Sequence, residues 1–506
     1  MRKSFLIINQ YMLIPVSAEK ETKVISFFCD GVKIYEFAIP LNQEEGEFYS
    51  FNYYAPLSMK EYVGKNVIID GEIPEIMMNA VSFSDHMPVN TQSRPLIHFT
   101  PNTGWINDPN GLVYQNGIYQ MYFQHNPFDT RWQNMCWGHA YSKDLLHWEQ
   151  VETALYPDCD GTMFSGSGIV NEKGLLGLPE DAQIYFYTCA GGEGEWSKDK
   201  VFTQKIAYTS DGGNTVHKMD GFIVENFVKG NRDPKVYWHE ETSAFYMALY
   251  LDKNDFMILR STDLQNWETS HKFELKEAWE CPDLRAIPVE GGGSKWMFWS
   301  ADGFYFLGDF DGYKFETDNV KHMAYCTKVP YAAQTWWGTE DVITIPWLRT
   351  SNKGKMYTGA MGIPRKMTLA QTEEGLKLRQ VPVDQYMNSR NLIFKLHGME
   401  TSYEVEQETA VEISINAEKE VDFDISIYGT PVNYSSSTGI LTAGEEKVQL
   451  SPNLKDFNIL TDGEILEISA NNYLEIAIIE LLVDRKKGII EVKASETAEV
   501  EIFSIK

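Results

Sequence analysis

Short apolar runs bounded by Gly, Asn, Asp and Pro recur along most of the chain, and few stretches carry the three-to-four residue spacing of an amphipathic helix. Gly117-Ile-Tyr-Gln-Met-Tyr-Phe123, Ala182-Gln-Ile-Tyr-Phe-Tyr-Thr188, Ala244-Phe-Tyr-Met-Ala-Leu-Tyr250 and Lys295-Trp-Met-Phe-Trp-Ser300 are representative. Runs this short and this continuous predict strands covered on both faces. The fold class expected is all-β.

The segments that follow these strands repeat. Tyr141-Ser-Lys-Asp-Leu-Leu-His-Trp-Glu149 aligns with Arg260-Ser-Thr-Asp-Leu-Gln-Asn-Trp-Glu268, and Tyr208-Thr-Ser-Asp-Gly-Gly-Asn214 is a degenerate third copy. They recur at a period on the order of 60 residues, which is what one four-stranded propeller blade and its turns require. Five blades of that size fill residues 93–385. Residues 1–92 alternate short strands with polar turns such as Cys29-Asp-Gly-Val32 and form a small N-terminal β-module. From residue 386 to 506 Trp disappears, and Thr409-Ala-Val-Glu-Ile-Ser-Ile415, Val421-Asp-Phe-Asp-Ile-Ser-Ile427 and Gly488-Ile-Ile-Glu-Val-Lys-Ala494 alternate apolar with polar. Alternation means one face in and one face out, so a C-terminal β-sandwich is expected.

Composition narrows the partners. With 72 acidic and 44 basic residues the net charge is −28, which argues against a phosphate backbone or an anionic bilayer as the ligand. No run approaches the roughly 18 apolar residues needed to span a bilayer. The six cysteines lack a C-x-x-C pair or a tight framework and read as reduced thiols, which implies a cytoplasmic protein. A secreted protein is the alternative, because Arg2 and Lys3 precede an apolar stretch and Val16-Ser-Ala18 could be cleaved; Asn9 and Gln10 interrupt that stretch and favour a first strand. Whether the chain is a monomer or a homo-oligomer is not encoded in these patterns.

Three acids share an unusual setting. Asp108 lies in Trp105-Ile-Asn-Asp-Pro-Asn-Gly111, where Pro109 fixes φ, Asn107 can orient the carboxylate and the apolar run Leu112-Val-Tyr114 begins a strand. Asp233 lies in Asn231-Arg-Asp-Pro234, and Glu280 in Trp279-Glu-Cys-Pro-Asp283. Each motif alone reads as a solvated turn. Together they supply what glycoside hydrolysis needs: one carboxylate to attack or stabilise the oxocarbenium-like transition state, and one neutral carboxyl to protonate the leaving oxygen.

In this order the three motifs resemble the signature of glycoside hydrolase family 32, the invertases, levanases, inulinases and fructan β-fructosidases. Arg94-Pro-Leu-Ile-His-Phe-Thr-Pro101, Gln124-His-Asn-Pro127, Trp137-Gly-His-Ala140, Phe164-Ser-Gly-Ser167, Gly308-Asp-Phe-Asp311 and Tyr331-Ala-Ala-Gln-Thr335 also resemble family segments, with a fainter echo at Leu481-Leu-Val-Asp-Arg485. The resemblance implies a five-bladed propeller followed by a sandwich, and a retaining hydrolase that releases fructose from β-fructofuranosides by double displacement. It implies Asp108 as nucleophile, Glu280 as acid/base and Asp233 as transition-state stabiliser. Arg232 would orient Asp233 or hold a hydroxyl. Asn107, Gln124, Trp132, Phe164 and Ser165 would line the fructosyl subsite, with Trp336 a further candidate. A hydrophobic wall and the charge of Asp108 are expected to keep Glu280 protonated.

Two departures from the family pattern stand out. Ala324-Tyr-Cys326 replaces a usual Asp-Tyr-Gly, and Lys328 a commonly acidic residue, in a segment expected at the pocket mouth; Met135-Cys136 is also atypical. No metal or cofactor is implied, since His139 and His147 lack ligand spacing and Gly291-Gly-Gly293 lacks the strand, helix and Lys of a phosphate loop. The alternatives are a fructosyltransferase, a five-bladed arabinofuranosidase or xylosidase, and an inactive fructan-binding protein.

Overall fold

The computed structural model describes residues 1–43, 48–405, 409–481 and 488–505. Of Leu481-Leu-Val-Asp-Arg485, only Leu481 is among them. Described from its sheets, the chain is a five-bladed propeller with a β-module before it and a β-sandwich after it. The innermost strands of blades I to V are Gly104–Gln115, Thr162–Val170, Arg232–His239, Asp283–Pro288 and Pro330–Thr335. The ring closes when Tyr357–Thr358, from the fifth blade's segment, pairs in parallel with Gly104 and Trp105 of the first.

Strands that read as continuous apolar runs are buried on both faces, as in Gln183–Ala190, where all eight residues are buried. Their neighbours are the adjacent blades, so neither face meets water. The repeated turn joins the third strand to the fourth in its blade. In the first blade the Ser142 hydroxyl accepts from the Asp144 and Leu145 amides, Asp144 Oδ1 accepts from Leu146 and His147, and the Trp148 indole donates to the Leu145 carbonyl. Ser261, Asp263 and Trp267 make the same set in the third blade. Leu145 and Leu264 both adopt φ of 65°. Thr209 and Asp211 keep part of this network in the second blade.

The N-terminal module packs a four-stranded sheet (Arg2–Leu6, Asn66–Gly71, Thr22–Cys29, Val32–Pro40) against a three-stranded one (Tyr53–Ser58, Tyr11–Val16, Ser82–Ser84). The Cys29-Asp30-Gly31-Val32 turn has φ of 51° and 81° at its central residues, the left-handed pair that a tight hairpin demands and that Asp-Gly tolerates. The module's core also takes in Phe128 and Cys136 from the first blade.

In the sandwich, the long strand Ile489–Ile505 pairs with Phe423–Ile427 through residues 490–494 and with Ala410–Ala417 through residues 498–505, so it passes between the two parts of the sheet. Phe423–Ile427 alternates as expected, with Phe423, Ile425 and Ile427 buried. Ala410–Ala417 does not have the wet face its sequence predicts. Glu412 and Ser414 are buried too, because Glu412 accepts from Tyr386 and pairs with Arg390 at the junction with the propeller.

Candidate active site

The innermost strands are irregular where they reach the site. Register shifts occur at Ile106/Pro109, Met163/Gly166, Arg232/Lys235 and Tyr331/Gln334. Bulges of this kind re-aim side chains and lie characteristically at barrel rims and active sites. In the first blade the shift carries Asp108-Pro109, and a second shift follows at Gly111. Gly111 has φ of 52°, and a Cβ there would stand 2.8 Å from the Tyr122 ring and 3.0 Å from Trp137, so the last residue of the Asp108 motif must be glycine. Asp233 (φ 65°), Glu280 (36°), Cys281 (44°) and Ala332 (49°) also hold left-handed backbone. Such strain costs on the order of 1–3 kcal/mol per residue and is retained where surrounding packing over-determines it.

These devices turn the three acids into one cavity of about 580 Å³. Cys281 lies between two of them. Its thiol is 3.5 Å from Asp108 Oδ2 and 3.6 Å from Asp233 Oδ2, and its amide donates to the same Asp233 oxygen at 3.0 Å. Burial, and then the charges of Asp108 and Asp233, push the thiol's pKa well up, so it stays protonated and acts as a donor.

Asp108 accepts from the Ser165 hydroxyl at 2.5 Å and from the Asn107 amide at 3.1 Å. Asn107 is in turn oriented by the Trp105 indole at 2.8 Å. Burial and the nearby Glu280 raise the Asp108 pKa; Ser165, Asn107 and Cys281 oppose them by bonding the ionised form. Asp233 is more deeply buried. Desolvation, with Glu280 and Asp108 adding to it, lifts its carboxyl to about 7 against the pull of Arg232 and the Cys281 amide.

In place of the hydrophobic wall expected beside Glu280 stand a guanidinium and a phenol. Arg232 donates to Glu280 Oε2 from Nη2 at 2.6 Å and from Nε at 3.2 Å, while the Tyr331 hydroxyl donates to Oε1 at 2.7 Å. Arg232 therefore serves Glu280 more directly than Asp233, whose Oδ2 is 3.7 Å away. Burial disfavours its charge, but Asp233 and Glu280 outweigh that and raise its pKa. The Tyr250 ring lies 4.6 Å beneath it.

Of the predicted lining residues, Asn107, Gln124, Trp132, Phe164, Ser165 and Arg232 all face the cavity. Gln124 donates to the Met163 carbonyl at 2.8 Å, and Trp132 packs edge-on against Phe164 with centroids 5.9 Å apart. Trp336 does not belong with them. It is fully buried, its ring stacked on Trp148 and its indole N–H given to the Gln120 carbonyl, because the chain turns inward after the strand Pro330–Thr335. Ala324-Tyr-Cys326 is likewise away from the mouth: Tyr325 packs against Trp299, and the Cys326 amide bonds to the Ile476 carbonyl of the sandwich. Sequence reasoning assigned no role to Tyr331, Trp347 and Phe202, which also line the cavity. Tyr331 opens the Tyr-Ala-Ala-Gln-Thr segment and could have been found there; Trp347 and Phe202 lie in no motif.

Two carboxyls in a pocket lined by both aromatic and polar side chains, one backed by hydroxyl and amide donors and one shared with an arginine, can attack an electrophilic carbon and exchange a proton with a leaving oxygen. Known proteins resemble the chain over this region. The family model described as the glycosyl hydrolases family 32 N-terminal domain matches residues 98–382. The chain is 34% identical over 334 residues to a levanase of Bacillus subtilis, covering 57% of this chain and 47% of that one. It is 33% identical over 343 residues to an invertase of Debaryomyces hansenii, covering 60% and 62%. It thus spans about half the length of the first and under two thirds of the second. The crystal structure of an exo-inulinase from Aspergillus awamori superposes with a TM-score of 0.73 at 23% identity, over 82% of this chain and 99% of that one, which places the fold. The chain belongs to glycoside hydrolase family 32.

Proposed function

We propose that the protein hydrolyses β-fructofuranosides and releases fructose by double displacement with retention. The observation that carries this reading is the convergence of Asp108, Asp233 and Glu280 from three blades on one cavity, with Cys281 bridging two of them. Asp108 attacks the anomeric carbon as the bond to the leaving oxygen breaks, and Glu280 gives that oxygen its proton. Glu280 then takes a proton from water, whose oxygen attacks the same carbon and expels Asp108. Ser165 and Asn107 donate to Asp108 and so favour the ionised form that the first step uses. Arg232 holds Glu280 through Oε2 and Tyr331 holds it through Oε1, which fixes the carboxyl in place for both steps. Asp233, with its raised pKa, is suited to hydrogen-bond the ring hydroxyls as charge develops.

The levanase and invertase names of the relatives support sucrose, short fructo-oligosaccharides and levan as the substrates to try. Fructose release should fall by about two to four orders of magnitude in Asp108→Asn and in Glu280→Gln. Turnover unchanged in both would refute the assignment.

We further propose that the protein works in the cytoplasm. Tyr11–Val16 is the central strand of its sheet, with Met12, Ile14 and Val16 in the module core, which favours a structural segment over a leader. Protein isolated from its native cells should then retain residues 1–18, as read by N-terminal sequencing.

A further inference from the structure

A second cavity of about 300 Å³ opens beside the catalytic one, and Glu193 lines both. Its walls come from two parts of the chain: Glu36 and Ala38 of the N-terminal module on one side, and Gln133 with the loop that carries Glu193 and Trp196 on the other. We propose that this cleft is a second glycosyl subsite, holding a remote sugar unit of an oligomeric fructoside while the terminal fructose occupies the catalytic cavity. The proposal rests on the hydrolytic reading above and extends it to the substrate's length.

A sugar ring offers an apolar C–H face and a rim of hydroxyls, so its site needs an aromatic plane edged by groups that can both donate and accept. Trp196 is half-buried, and the Lys33 ammonium lies 5.4 Å from its ring centroid, which fixes the indole from the module side. Among the described residues, the side chains of Gln133, Glu193 and Trp196 make no hydrogen bond, so an amide, a carboxylate and an indole N–H are uncommitted around one cleft. The opposite wall is fixed. Glu36 accepts from Ser26 at 2.9 Å and pairs with Lys33, and the Asn134 amide is bonded to both the N–H and the carbonyl of Ala38 at 2.8 Å. A rigid wall facing uncommitted polar groups is what a preorganised subsite requires. Because Glu193 belongs to both cavities, a chain leaving the catalytic pocket past it reaches the cleft directly.

The test compares kcat/KM for sucrose with kcat/KM for a β-linked fructo-tetrasaccharide, using the full chain. In Trp196→Ala the tetrasaccharide-to-sucrose ratio should fall about tenfold, the loss of one aromatic contact. Gln133→Ala, an exposed position whose change leaves the fold intact, should lower the same ratio about threefold, mainly through KM for the tetrasaccharide. An unchanged ratio in both variants, with fructose still released, overturns the subsite alone. Release of fructose from neither substrate by the unaltered protein overturns the hydrolytic reading, and the subsite with it.

Discussion

The two modules flanking the propeller meet it in different ways. The sandwich is anchored through buried charge behind the site. Asp462 accepts from the Leu96, Ile97 and His98 amides and from the His98 ring, while Glu467 accepts from the other His98 nitrogen, the Ile363 amide and Arg365. None of these residues lines the catalytic cavity. The N-terminal module instead grips the loop that forms the cavity's wall. Phe128 is fully buried against Phe37, Arg131 donates to the Lys20 carbonyl and pairs with Asp129, and Asn134 bonds Ala38 through both ends of its amide. Between Arg131 and Asn134 stands Trp132, 48% exposed and facing the pocket. The contrast separates a module fastened away from the cavity from one that holds part of the cavity's wall.

The strongest way to break that contrast is at Glu467. Replacing it by Gln leaves the buried Arg365 without its carboxylate partner and His98 with Asp462 alone, at a cost of about 3–5 kcal/mol in unfolding free energy. The contrast predicts this loss in denaturant titrations with KM for sucrose unchanged at temperatures where the variant is folded. A large shift in KM would show that the sandwich also reaches the site.

The same network sets a pH signature. Burial alone would lower the His98 pKa, but Asp462 and Glu467 raise it to about 9 from 6.5. A raised folded-state pKa contributes stability that is complete below about 6.5 and is lost as pH rises through 9. Glu467 is displaced the other way: burial raises it, and Arg365 and His98 overcome that and bring it to about 2. Its contribution is complete above its usual 4.5 and is lost as pH falls through 2. Thermal midpoints should therefore decline on the alkaline side between 6.5 and 9, and His98→Gln should flatten that decline. An alkaline limb unaltered in the variant would assign it to other groups.

How much of this could be read in advance depended on whether a residue's role was local. The repeated Ser-x-Asp-Leu-x-x-Trp turn was legible because its hydrogen bonds close within seven residues, from Ser142 to Trp148 and from Ser261 to Trp267. The Asp108 motif was legible for the same reason: Trp105, Asn107 and Asp108 are wired to one another in sequence. The partner of Glu280 was not, since Arg232 and Tyr331 approach it from other blades. Ala324-Tyr-Cys326 pointed to the mouth only by its place in a motif, and tertiary packing sends it to the sandwich. Glu412 read as a wet position in an alternating strand, until Tyr386 and Arg390 from the propeller junction covered it.

Trp336 gives a smaller test of the same distinction. Trp336→Phe removes the indole bond to Gln120 and some packing against Trp148, which should cost about 1–3 kcal/mol of stability. Since the ring faces the core, KM for sucrose should hold within about twofold. A Trp that touched substrate would raise KM instead.

The finest test falls on the N-terminal side. Asn134→Asp preserves size and tolerates the left-handed φ of 49°, but it replaces the amide that donates to the Ala38 and Asn126 oxygens with a carboxylate that repels both. The loop loses its clamp while the three acids keep every partner named above. If the module acts on binding through Trp132, KM for sucrose should rise about threefold to tenfold, with kcat within a factor of about two and the unfolding free energy lowered by about 1 kcal/mol. The split matters more than the size. Loss of kcat with KM unchanged would mean that Asn134 supports the acids rather than the wall, and the module would then be a second scaffold, no different in kind from the sandwich.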